Sequence, residues 1–121
     1  MINKLAKEIH QNAKDKGFFE TERNLAEMLC LIHSEVSEAL EADRESKYCE
    51  QDLKQILEIE DDIKFQQNFE ESIKNTFEDE LADVLIRVLD LAAYKNIDLE
   101  AHITSKMRYN ALRKQKHGKK Y

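Results

Sequence analysis

Proline is absent from all 121 residues, and glycine occurs only at Gly17 and Gly118. These are the residues that break helices and shape tight turns, so the long stretch between the two glycines has little with which to build a β-rich fold. Leu, Glu, Lys and Ala are plentiful and favour helix, and apolar residues recur at helical rather than alternating period. The expected fold class is all-α, a bundle of about four to five helices forming one domain over residues 1–121.

Ile2, Leu5, Ile9 and Ala13 share one stripe of a first helix over about 2–16, with Gly17 as its stop. Phe18 and Phe19 are expected to pin the following connection to the core. Thr21 is the expected N-cap of a longer helix reaching about Asp43, whose core stripe is Leu25, Met28, Leu29, Ile32, Val36, Ala39 and Leu40. Residues 45–75 are more polar and suggest a helix carrying Leu53, Ile56, Leu57, Ile59 and Ile63, with a break around Gln66 to Asn68. A third long helix is expected from about Phe69 or later to Lys95, with Leu81, Val84, Leu85, Val88, Leu91 and Ala92 on its core face and Asn96 as C-cap. Asp98 N-caps a last helix through about Arg113, and 114–121 form a basic tail, its end from His117 to Tyr121 a loop.

Hydrophobic residues make up 41% of the chain and charged residues 36%, which describes a folded body with a heavily solvated surface. The net charge of −6 argues against nucleic-acid binding, which calls for a basic face. No apolar run approaches membrane-spanning length and no signal-peptide core is present, so no membrane partner and a cytoplasmic location are expected. Cys30 and Cys49 are too few for a disulfide framework or a zinc site; Cys30, on an apolar stretch, reads as a buried free thiol.

Two acidic pairs interrupt the apolar helices. Glu35 and Glu38 lie on the flank of the second helix's stripe, in line with Leu31, and Glu80 and Asp83 sit in the third. Residues three apart share a helix face, so each pair projects two carboxylates in one direction. Carboxylates beside a core are costly unless paired, protonated or bound to a cation. Glu38/Glu41 and Glu58/Asp61 have the same spacing, but the latter pair lies in a run that reads as a charged face. If the two apolar helices pack together, Glu35, Glu38, Glu80 and Asp83 converge as an all-oxygen site suited to Mg²⁺, with Mn²⁺ as a substitute, rather than zinc. A carboxylate di-iron centre would need Glu-x-x-His pairs, and none of the four histidines lies three residues after an acid.

Lys106, Asn110 and Arg113 follow i, i+4, i+7 spacing, so one helix face carries an ammonium, an amide and a guanidinium, with Lys116 and His117 just beyond. Arg and Lys both suit phosphate oxygens. A carboxylate-held Mg²⁺ and a basic face together describe metal-assisted phosphoryl chemistry without a glycine-rich phosphate loop. Tyr48, Phe65 and Phe69 read as packing groups rather than base contacts, and His33 and His102 as boundary residues.

The ordered set Glu35-x-x-Glu38, Glu80-x-x-Asp83 and Lys106-Met-Arg-Tyr-Asn110-Ala-Leu-Arg113, with the lead-in from Asn24 to Glu35, resembles the MazG-like all-α nucleoside triphosphate pyrophosphohydrolases. The resemblance implies Mg²⁺-dependent hydrolysis of a nucleoside triphosphate between its α and β phosphates, in a homodimer or homotetramer. It implies Glu35, Glu38, Glu80 and Asp83 as metal ligands, with Glu38 and Glu35 serving catalysis. Lys106, Asn110 and Arg113 would contact phosphates or sugar, with Tyr109, Lys116 and Asn24 as further substrate contacts. Ser34 stands where many members carry another Glu, and the interval from Glu38 to Glu80 is longer than in compact members, which implies that 45–75 is an insertion or extended helix. Two other readings stand beside this one: a non-catalytic helical interaction module whose acidic pairs meet Lys or Arg of a partner subunit, and a pyrophosphohydrolase acting on a different phosphoribosyl nucleotide.

Overall fold

The computed structural model describes residues 1–120, the His117 side chain excepted; Tyr121, the last position of the expected tail, lies outside the described residues. The described residues are all-α, with no strand. Six helices follow in order: α1 (Ile2–Asp15), α2 (Leu25–Arg44), α3 (Leu53–Leu57), α4 (Asp62–Ser72), α5 (Phe77–Tyr94) and α6 (Leu99–Ala111), then a 3₁₀ turn over Gln115–Gly118 where part of the loop tail was expected. No described helix is long and apolar enough to cross a membrane. Contacts divide the chain into two compact units, one of Met1–Glu22 with the segment from Leu89 onward, the other Arg23–Val88.

In the first unit, Gly17 ends α1 at φ +87°. Its N–H donates to the Lys14 carbonyl (3.0 Å) and that of Phe18 to Ala13 (3.1 Å), the paired bonds of a Schellman stop that a left-handed residue makes cheap. Ala6 is the buried residue of α1, whereas Leu5, on the expected stripe, is exposed. Only one of the two phenylalanines pins the connection: Phe19 packs against His10 (4.5 Å between ring centres) and Tyr94 (4.9 Å), whereas Phe18 is exposed. His10 is fixed in turn by Asp90, 2.8 Å from its Nδ1. Asn96 takes the left-handed position after α5 (φ 54°), with its N–H on Ala93 and that of Ile97 on Ala92. Asp98 caps α6 as expected, accepting from the Ala101 N–H at 3.0 Å.

In the second unit several boundaries move. Asn24, not Thr21, is the N-cap of α2, accepting from the Glu27 N–H at 3.1 Å. The break within 45–75 falls at 58–61 rather than at Gln66 to Asn68. Asp61 starts a new helix by accepting from the N–H groups of Ile63 and Lys64. Gln66 and Asn68 satisfy their amides inside α4, on Glu70 and the Lys64 carbonyl. Phe69 belongs to α4, and a left-handed Asn75 (φ 67°) separates that helix from α5.

The core stripes also differ from expectation. The buried face of α2 is Met28, Glu35, Ala39 and Ala42, while Leu25, Leu29, Val36 and Leu40 are 44–50% exposed. Cys30 is exposed as well. On α5, Glu80 is buried but Leu81, Leu85 and Ile86 are not. These helices carry apolar residues on more than one face, and the packed face of α2 is the one whose alanines allow close approach.

Candidate metal centre

Two hydrogen bonds tie the end of α2 to the start of α5. The Phe77 N–H donates to the Lys47 carbonyl at 2.7 Å, and the Cys49 N–H to Glu78 Oε2 at 2.6 Å. Tyr48 packs its ring 5.3 Å from Phe77 and donates its hydroxyl to Asp43. Ser46, left-handed at φ 56°, turns the chain out of α2, with the Lys47 N–H on the Ala42 carbonyl at 2.8 Å. From this clip the helices run in opposite directions, so positions descending α2 meet positions ascending α5.

The antiparallel register brings the acidic pairs together. Glu35, Glu38 and Glu80 each offer a carboxylate oxygen within 4.8 Å of the others, and Asp79, Glu80 and Asp83 form a second such triplet that shares Glu80. All four carboxylates expected as metal ligands therefore join one cluster. Asp79 enters it unforeseen, as does Arg87, whose Nε donates to Glu35 Oε1 at 2.8 Å. Both carried a signal: Asp79 and Asp83, and Asp83 and Arg87, are i, i+4 pairs and so share a helix face.

Burial grades the cluster. Glu35 is 8% exposed and Glu80 5%, whereas Glu38 is exposed and Asp83 half-buried. Glu35 Oε2 and Glu80 Oε2 are sealed from solvent and find no hydrogen-bond partner among the described residues. Burial above all, helped by a hydrogen bond shared with Glu38 and by the charges of Glu38, Asp83 and Glu35, pushes the Glu80 carboxyl up to about 7 from its usual 4.5. Asp83 is raised by burial and then by the charges of Asp79 and Glu35, with Arg87 opposing.

An unpaired buried carboxylate oxygen is expensive, and two of them beside further carboxylates form an acceptor-only set that suits a hard divalent cation. The residues therefore fit Mg²⁺, with Glu35, Glu38, Glu80 and Asp83 as the groups that would hold it and Asp79 as a further oxygen donor. A proton on Glu80 competes with the cation. Mg²⁺ should thus raise the melting temperature more at pH 8 than at pH 6, on either side of the Glu80 titration. Differential scanning fluorimetry at the two pH values measures this, and an absent or pH-independent shift would count against the site.

The remaining expected residues have other settings. Asn24 caps α2, which accounts for its side chain locally. Lys106, Tyr109, Asn110 and Arg113 lie in the first unit. There the Tyr109 ring carries two cations, Lys106 Nζ at 5.0 Å and Arg113 Cζ at 5.3 Å from its centre, a favourable cation–π arrangement. Asn110 Oδ1 is sealed from solvent without a hydrogen-bond partner among the described residues. Lys116 is exposed in the 3₁₀ turn. Comparison with known proteins finds no matching family model, no similar curated protein and no similar solved structure.

Proposed function

We propose that this chain is a Mg²⁺-dependent hydrolase that cleaves nucleoside triphosphates to nucleoside monophosphate and pyrophosphate. The observation that carries the reading is the pair of buried, unpartnered oxygens of Glu35 and Glu80 within a multi-carboxylate cluster. A hard divalent cation would satisfy these acceptors at once. Arg87 reaches Oε1 of Glu35, and Oε2 is left over.

Bound there, Mg²⁺ would neutralise phosphate oxygens and lower the pKa of a nearby water. Glu38 is the exposed carboxylate of its triplet, so it is the group placed to take the proton of an attacking water. The water oxygen bonds to the α-phosphorus and the bond from that phosphorus to the α–β bridging oxygen breaks. Pyrophosphate leaves with the bridging oxygen, and the proton resides on Glu38. Glu35, held by Arg87, positions the cluster. In the first unit, Lys106 and Arg113 flank the Tyr109 ring and, with Asn110, form the face proposed to take phosphate or sugar. A cytoplasmic setting fits this reading.

The exposed apolar faces of α2 and α5 support a homo-oligomer. Leu25, Leu29, Val36 and Leu40 on α2, with Leu81 and Leu85 on α5, supply an apolar surface for it.

The deciding experiment measures pyrophosphate release from a panel of ribo- and deoxyribonucleoside triphosphates with Mg²⁺, alongside sedimentation of the same preparation. We expect release by an oligomer and its loss in Glu38→Ala and Asp83→Ala. Absence of cleavage in wild type, or undiminished cleavage in both variants, overturns the reading. Mg²⁺-free stability with no nucleotide-dependent thermal shift would instead support an interaction module, and cleavage confined to a phosphoribosyl nucleotide outside the panel would reassign the substrate.

A further inference from the structure

We propose that the cleft between α4 and the start of α5 receives the base of the nucleotide, with Phe65 and Phe69 as the stacking wall and Gln66 and Asn75 as the polar groups that read its edge. This inference rests on the triphosphate reading above and adds to it where selectivity resides.

The cleft has a volume of about 560 Å³, within the range of small-molecule sites. Its lining includes Phe65, Gln66 and Phe69 on α4, Lys74 and Asn75 in the connection, and Asp79 and Asp83 on α5. Two members of the carboxylate cluster, Asp79 and Asp83, therefore line the same cleft as the two aromatic rings. A molecule whose phosphates lie at that cluster reaches the aromatic wall without leaving the cleft.

The wall is built rather than incidental. Phe65 and Phe69 are one helical turn apart, with ring centres 6.1 Å apart and planes inclined by 33°. Both also line a separate apolar cavity of about 210 Å³ with Ile56, Ile73 and Ala82. The rings thus form a partition between the unit's interior and the cleft, anchored on one side and available on the other. The packing role expected of both rings holds on the cavity side, and the proposal adds a second role on the cleft side. Every base has a π-face, so an aromatic wall binds bases whatever their edge pattern.

The edge is read by amides. Gln66 Nε2 donates to Glu70 at 3.1 Å, which leaves its carbonyl oxygen to accept from a ring or exocyclic N–H. Asn75 is held in place by its left-handed backbone and by its N–H on Asp79 Oδ2 at 2.9 Å, and its side-chain amide can both donate and accept. Glu70 and Asp62, which line the cleft with the α4 rings, disfavour phosphate beside them, whereas Asp79 and Asp83 belong to the cluster that would hold the cation. Base outward and phosphates toward α5 is the orientation these charges favour.

The chain has no tryptophan, so Phe65→Trp installs a single reporter in the wall. With Mg²⁺ present, nucleoside triphosphates should quench its fluorescence, while inorganic tripolyphosphate, which has no base, should not. Phe69→Leu keeps apolar bulk but loses the π-face, and its nucleotide affinity should fall by about tenfold with Phe69→Tyr restoring it. Tripolyphosphate affinity should stay nearly constant across the three proteins, which separates a lost base contact from a damaged fold. If wild type cleaves nucleotides but quenching is absent, or tripolyphosphate quenches equally, or Phe69→Leu binds nucleotides as wild type does, the base pocket is wrong while the hydrolase reading stands. If wild type neither cleaves nor binds any nucleotide by calorimetry, both fall together.

Discussion

Glu80→Gln should cripple hydrolysis and, in the same protein, raise the melting temperature measured without Mg²⁺ at pH 8. Glu80 is 5% exposed, and its carboxyl is held protonated up to about 7. A group whose folded pKa is raised binds its proton more tightly folded than unfolded. For this acid, stability is greatest below about 4.5, declines as pH rises toward 7, and stays at its lower level above. At pH 8 the wild-type chain bears that whole cost, on the order of 3 kcal/mol. Glutamine reproduces the shape of the protonated acid and never ionises, so the variant escapes the cost, a gain of several degrees for a domain of this size. It also removes a charged oxygen donor common to both acidic triplets, so Mg²⁺ should no longer stabilise it and pyrophosphate release should drop by about a hundredfold or more. Melting curves with and without Mg²⁺, beside a turnover assay, read all three effects. A variant that keeps its Mg²⁺ stabilisation would show that Glu80 is not part of a cation site.

Arg87→Met should act in the opposite sense on stability. The guanidinium is the partner of Glu35 Oε1, and Glu35 is nearly sealed from water. Removing one member of a buried pair strands the other charge. Because the Arg87 side chain is 40% exposed, solvent screens part of the interaction, and the expected loss is about 2 kcal/mol rather than the larger values of fully buried pairs. Arg87 also opposes the upward shift of Asp83, so its loss makes the cluster more proton-hungry. Urea unfolding measures the loss. Mg²⁺ should recover more stability in this variant than in wild type, because a cation can take over neutralisation of the stranded carboxylate. Pairing the change with Glu35→Gln should return most of the stability without Mg²⁺. If Arg87→Met is as stable as wild type, Glu35 is neutralised in some other way.

The parts of the fold that follow local rules were legible in the residues. Gly17 stops α1, Asp98 starts α6, and the absence of proline leaves helix as the dominant element. The four carboxylates were legible because i, i+3 spacing in an apolar helix has few explanations. Which apolar stripe packs was not legible. On α2, Leu25, Leu29, Val36 and Leu40 form as regular a period as Met28, Glu35, Ala39 and Ala42, and hydrophobicity favours the former. The latter face packs in the chain, where alanines admit a neighbouring helix and the carboxylates come with them. Periodicity reports that a face is apolar, not what covers it. Asp79 and Arg87 are less legible for a related reason: they complete the acidic face at i, i+4 spacing, which the i, i+3 pairs alone do not reveal. Asp61 reads as one more surface charge in sequence because a cap is recognised by the helix it begins, and α4 starts at Asp62 rather than continuing from the residues before it.

The clip at Lys47–Phe77 and Cys49–Glu78 joins the two ends of the segment that holds α3 and α4. That segment leaves α2 and re-enters α5 at almost the same point, so the cradle of α2 and α5 does not depend on its length. Closing a longer or shorter loop there changes the free energy only slowly with residue number. The carboxylates and the aromatic wall therefore sit on elements that can change at different rates. A descendant of this chain could change the cleft-facing residues of α4, keep the buried Ile56 and Ile73 that pack beneath, acquire a new preference among ligands, and inherit its acidic centre intact.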